Sequence, residues 1–115
     1  MGYQIGGGVL NVKAQVLVEE LLPLFPELKH RPRIYGYDIE LIRGNLELYI
    51  NTLDDIDYSL EATFRGVKKE LLSLLTILRD VFLSLGLKFH IWYCEEDDQG
   101  NTLSEEVIFF DNHIT

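Results

Sequence analysis

Between His90 and Glu106 the chain reads HIWYCEEDDQGNTLSEE. A histidine, the only tryptophan and the only cysteine run directly into four consecutive acids. Three chemistries could use such a run, and each makes its own demand on spacing. A calcium loop wants acids or amides at its first, third and fifth positions, glycine at the sixth and glutamate at the twelfth. Glu95, Asp97, Gln99, Gly100 and Glu106 fall at those positions. Glutamate is a poor first ligand, Gln99 a poor fifth, and the flanks have the alternation of strands rather than of helices. The simpler reading is a hairpin turn kept soluble by its charge, with Gly100-Asn101 making the bend.

A transition metal would use His90 and Cys94. Residues four apart in a strand share a face but lie roughly 13 Å apart, too far for two ligands of one zinc ion. No CxxC or HxxxH spacing supplies further ligands. A histidine and a small apolar cysteine on a packed face account for the pair. Nucleophilic catalysis would need a cation or a helix N-terminus to depress the Cys94 thiol. Its neighbours in sequence are acids, which act the other way.

Two further features carry candidate chemistry. Gly6-Gly7-Gly8 precedes a run with helical spacing, where a phosphate could meet a helix N-terminus. Neither a GK[ST] motif nor a GxGxxG fingerprint is present, so the triplet reads as a flexible lead-in to the helix. Tyr49 falls on the polar side of an alternating run, beside Glu47 and Asn51. An exposed aromatic of that kind is a common interface anchor.

The elements that must position these residues are legible in part. The 115 residues are the size of one domain, taken here as residues 1–115, and 47% of them are hydrophobic. That is enough for a core without disulfide or metal staples. One cysteine excludes an intramolecular disulfide framework and points to a reducing, cytoplasmic setting. The first residues lack the charged start and apolar run of a signal peptide, and no apolar stretch reaches the roughly 20 residues that span a bilayer.

Apolar residues at 9, 12, 16, 17, 21 and 24 predict a first helix over 9–25, with Asn11 as N-cap and Pro23 ending it. Pro26 and Pro32 bracket a connector. YGYDIELIRGNLELYINT, residues 35–52, contains two alternating runs around Gly44-Asn45. A two-residue type II′ loop there puts Leu41 opposite Leu48 and Ile39 opposite Ile50, which matches apolar with apolar on one face. Ile56, Tyr58, Leu60, Ala62 and Phe64 alternate with polar residues and predict a third strand. Parity then asks for an odd connection, read as Leu53-Asp54-Asp55. A broadly apolar helix follows over 67–85, with Gly86 as its left-handed stop. Its excess apolar surface would be covered by the first helix or by a partner subunit. Leu87 to Cys94 reads as a strand apolar on both faces, and the return strand spans about Leu103 to Phe110.

The expected fold is therefore α+β: an antiparallel sheet of about five strands in the order α-β-β-β-α-β-β, with room for a short edge strand at Tyr3 to Ile5, and two helices on one face.

Net charge is −9, and −7 of it falls after Lys88, where Glu95, Glu96, Asp97, Asp98, Glu105, Glu106 and Asp111 meet no Lys or Arg. Such a surface repels phosphate backbones and argues against nucleic acid. The small basic groups at 29–33 and 65–69 lack interleaved aromatics. These features lead to a non-enzymatic interaction or regulatory protein without cofactor or membrane contact. It would form a homo-oligomer and would bind a basic protein through Glu95, Glu96, Asp97, Asp98, Glu105, Glu106 and Tyr49. Two alternatives stand beside it. One is a small-ligand binder or enzyme with a pocket between sheet and helices, using His90, Tyr93, Asp38 and Glu40. The other is a calcium-binding protein using Glu95, Asp97, Gln99 and Glu106.

Overall fold

A computed structural model describes residues 2–32, 37–52 and 57–112. In chain order the elements are β1 (Gly2–Leu10), α1 (Ala14–Leu21), β2 (Lys29–Pro32), β3 (Tyr37–Arg43), β4 (Leu46–Thr52), β5 (Tyr58–Arg65), α2 (Lys68–Ser84), β6 (Lys88–Glu96) and β7 (Val107–Asp111). The class is α+β, as expected. The sheet has seven strands rather than about five, in the order β2-β3-β4-β5-β1-β6-β7, and its strand pairings among the described residues are antiparallel.

The largest correction concerns the N-terminus. The Tyr3 to Ile5 segment is part of a nine-residue strand, and that strand sits mid-sheet between β5 and β6. Gly6-Gly7-Gly8 is therefore paired backbone on both sides, not a lead-in to a helix. The first helix is correspondingly shorter than 9–25. Val9 belongs to the strand's core face, and α1 starts after Lys13, whose side chain makes no capping bond. Asn11 is not the N-cap. It turns the chain out of β1 in the left-handed conformation, φ 59°, which asparagine tolerates better than most residues. Its N–H donates to Asp57 Oδ1 at 3.0 Å. Part of the expected connector is also a strand, β2, which pairs only with β3 and ends on Pro32, as suits a sheet edge.

The β3–β4 hairpin has the expected register, with Leu41 opposite Leu48 and Ile39 opposite Ile50. Gly44 has φ 55° while Asn45 is not in the positive region, which fits the type II′ loop. The Leu53-Asp54-Asp55 connection lies outside the described residues. The register beyond it pairs Thr52 with Tyr58, two residues later than a three-residue loop allows. A shift of two keeps every side chain on its expected face. Helix α2 matches its expected span, and Gly86 follows it at φ 70°.

Alternate strand residues and one face of each helix form a single buried cluster. Tyr3, Ile5, Leu48, Ile50, Leu60, Phe64, Phe89 and Ile91 join Leu17 and Leu21 of α1 and Leu71, Leu75, Leu78 and Phe82 of α2. The rings of Phe82 and Phe89 meet edge to face at 5.1 Å, and Phe110 stacks on Phe89 at 4.7 Å. The connector after α1 is tied to the β3–β4 hairpin through Arg43. Its guanidinium pairs with Glu27, bonds the Leu24 carbonyl at 3.0 Å and lies 4.5 Å from the Phe25 ring centre. No described helix is long and apolar enough to cross a membrane.

Candidate functional site

The side of the sheet opposite this cluster carries no described helix, and it is covered only at its β6 end, where Thr102 and Glu106 of the segment after β6 approach the buried Cys94. Strand registers place its residues in rows. One row runs Lys29, Glu40, Tyr49, Glu61, Gly6, Trp92 from β2 to β6. The next runs Arg31, Asp38, Asn51, Ser59, Gly8, His90, and the one beyond runs Ile42, Glu47, Thr63, Gln4, Cys94.

Tyr49 thus stands between Glu40 and Glu61 across the strands and between Glu47 and Asn51 along its own strand. Its phenol is pushed above the ordinary tyrosine range, first by burial and then by the negative charges of Glu47 and Glu40. The hydroxyl stays protonated and can donate. Lys29 sits opposite Glu40 on the neighbouring strand. Glu47 and Glu61 have no ion-pair partner among the described residues.

A cleft of about 310 Å³ lies between the two aromatics of the row, lined by Gln4, Gly6, Glu47, Tyr49, Glu61, Thr63 and Trp92. Gly6 forms part of its floor, and the indole of Trp92 rests on that glycine. A β-carbon at position 6 would stand 2.2 Å from Trp92 Cζ2 and 2.5 Å from Cε2. A second depression of about 440 Å³ continues past Tyr49 over Lys29, Arg31, Asp38, Glu40 and Asn51. The chemistry available here is a concave surface with two aromatic rings and two carboxylates, Glu47 and Glu61, that form no ion pair among the described residues, suited to a cation.

The residues singled out from sequence fall in different places. In the acidic loop, Asp98, Glu105 and Glu106 are exposed, Glu95 is half-buried and Glu96 is buried. Asp97 is turned onto its own loop. Its Oδ1 accepts the N–H groups of Gln99 and Asn101 at 2.9 and 2.8 Å, and Oδ2 accepts the Asn101 amide at 3.1 Å. Those bonds, led by the one from the Asn101 backbone, hold its carboxyl below the usual aspartate range. The bend is at Gly100, φ 84°, as expected from Gly100-Asn101. Glu96 pairs with Thr102 across this hairpin, so β7 proper begins at Val107 rather than near Leu103. Among the described residues no three of His, Cys, Asp and Glu converge as a metal would require. Of the pocket candidates, Asp38, Glu40 and His90 belong to the uncovered side, whereas Tyr93 points into the core, so the four are not one site.

Cys94 lies on the uncovered side yet is buried. Burial, followed by the charges of Glu106 and Glu96, pushes its thiol above the ordinary cysteine range. A thiol so placed is a poor nucleophile. Ellman's reagent at pH 8 is expected to leave Cys94 unmodified for hours in native protein and to titrate one thiol within minutes in 8 M urea. Rapid reaction of native protein would contradict this placement.

Tyr49 and its strand neighbour Glu47 are legible in the sequence, whereas Glu61, Gly6 and Trp92 are not legible there as their companions. What joins these three to Tyr49 is the strand order β4-β5-β1-β6, which no sequence motif announces. No protein-family model matches this chain, and no curated protein matches its sequence.

Proposed function

We propose that the chain is a cytoplasmic, non-enzymatic interaction protein that binds a basic segment of another protein, with the uncovered sheet face as its principal contact and the acidic hairpin beside it. The observation that carries this reading is Tyr49 set among Glu40, Glu47 and Glu61 on a face that no described helix covers. The overall charge of −9 would speed the encounter with a positive partner, and that effect weakens as salt screens it. Asp98, Glu105 and Glu106 add exposed negative charge at one end of the same sheet.

A second reading, self-association, is favoured by β7. It ends the sheet, and Val107 and Ile108 on it are 44% and 60% exposed. An apolar edge strand of this kind invites pairing with another strand. Antiparallel pairing of two copies would bring Glu105 and Glu106 of one toward Asp111 of the other, so it should strengthen with salt, opposite to binding of a basic partner.

Light scattering coupled to size exclusion tests both readings. The mass of the chain is measured alone and with an arginine- and lysine-rich peptide, at about 50 and 300 mM salt. Peptide is expected to add mass at low salt and to be lost at high salt, and a dimer, if formed through β7, to gain population at high salt. No peptide complex at low salt overturns the first reading. A monomer under both conditions overturns the second.

A further inference from the structure

Resting on the reading above, we infer that the cleft between Tyr49 and Trp92 seats one arginine side chain of the basic partner, with its guanidinium over Tyr49 and its charge met by Glu47 and Glu61.

The geometry restricts the occupant. Tyr49, Glu61, Gly6 and Trp92 lie in one row on four successive strands, β4, β5, β1 and β6. Adjacent strands are about 4.8 Å apart, so the two aromatic residues originate about 14 Å apart. The Trp92 indole reaches back over Gly6, which leaves roughly two strand spacings, about 10 Å, between the rings. Ring thickness narrows that gap further, so one extended side chain fits it and a helix of about 10–12 Å diameter with its side chains does not. The floor is Gly6, which has no side chain, and Ala62, whose side chain belongs to the core face. A flat group fills such a space better than a bulky one.

Charge decides the sign. Glu47 and Glu61 line the cleft without an ion-pair partner among the described residues, while the nearest cation in the row, Lys29, is opposite Glu40 on the far side of Tyr49. An anion would meet two carboxylates, and a neutral apolar group would leave both desolvated without compensation. A cation gains from both carboxylates and from the aromatic faces. Between the two cationic side chains, the guanidinium is favoured. It is planar, stacks on aromatic rings, sheds water more easily than an ammonium, and can present separate N–H pairs to two carboxylates.

The chain carries its own reporter, because Trp92 is its only tryptophan and forms a wall of the cleft. Fluorescein-labelled octa-arginine and octa-lysine are titrated against the full chain at low salt. Anisotropy of the label reads binding anywhere on the protein, and Trp92 emission with unlabelled peptide reads the cleft. Three proteins are compared: wild type, Glu47→Gln with Glu61→Gln, and the hairpin set Asp98→Asn, Glu105→Gln and Glu106→Gln. All substitutions are at exposed, isosteric positions, and circular dichroism checks the fold.

Octa-arginine is expected to change Trp92 emission saturably and to bind at least threefold tighter than octa-lysine. The cleft pair should weaken it about tenfold or more and abolish the emission change, and the hairpin set should weaken it less than about threefold. Binding by anisotropy with no Trp92 response, and with the cleft pair unaffected, overturns the arginine seat and leaves the basic-partner reading standing. Equal binding and equal Trp92 response to octa-lysine overturns the guanidinium assignment. No binding of either peptide to wild type overturns the basic-partner reading and the seat with it.

Discussion

Replacing Gly7 with alanine is expected to cost about 3 kcal/mol or more of folding stability, the upper part of the range for overpacking in a fixed environment. The cause is backbone rather than side chain. A β-carbon on Gly7 would stand 2.0 Å from the carbonyl oxygen of His90 and 3.0 Å from its carbonyl carbon. Those atoms belong to β6, which is held on its other side by β7 and in the core by Phe89 and Ile91. They cannot withdraw without opening the β1–β6 ladder, and that ladder joins β6 and β7 to the rest of the sheet. Total stability of a domain this size is of the order of 5–15 kcal/mol, so the loss is a large fraction of it. Urea unfolding followed by circular dichroism should show the midpoint lowered by about 1 M or more at an unchanged slope. Gly8→Ala is the internal control. Its β-carbon would meet the Cε1 end of the His90 ring at 3.1 Å, which a side chain can relieve, and it should cost much less. Equal stability of the two variants would remove the steric argument.

The same glycines explain why the centre of the sheet was hidden in the sequence. Strand signals are side-chain signals, and Gly6-Gly7-Gly8 has none to alternate. Val9 and Val12 then coincide with helical spacing by chance, although Val9 is a core strand residue and Val12 follows the strand. The pairings β1–β5 and β1–β6 are distant in sequence, so no turn residues mark them. By contrast, the β3–β4 hairpin is local, its loop carries glycine at the position that needs it, and its register followed from matching apolar residues. Helix α2 was legible from its spacing and its terminal glycine. The candidate site fell between these cases. Tyr49 and Glu47 were visible on a polar face. Glu61 was not, because a three-residue connection after Thr52 would have put Ser59, not Glu61, opposite Tyr49. The observed shift of two residues keeps the faces but changes the neighbours, and neighbours are what make a site.

Gly6→Val separates the site from the scaffold on which it is built. Here the obstacle is the Trp92 ring, with Cζ2 at 2.2 Å, Cε2 at 2.5 Å and Nε1 at 2.9 Å from the added β-carbon. The ring is half-buried on the uncovered side, so it can swing toward solvent, unlike the His90 carbonyl beneath Gly7. The expected stability loss is about 1–2 kcal/mol, the lower part of the overpacking range, partly offset because valine suits a strand. The indole gains water, so its emission should shift to the red in native protein and come close to that of the urea-unfolded chain. The cleft simultaneously loses one aromatic wall while keeping Tyr49, Glu47 and Glu61. Octa-arginine affinity should then fall by about 2–5-fold, the worth of one partly exposed cation–π contact, and less than when both carboxylates are neutralised. This ordering follows from charge carrying most of the attraction and the rings most of the choice between arginine and lysine. Gly6→Val should accordingly lower the affinity for octa-arginine more than that for octa-lysine, and so narrow the preference between them. A variant with unshifted emission would mean that Trp92 does not rest on Gly6. A shifted emission with an intact preference would place the selection for arginine on Tyr49 alone.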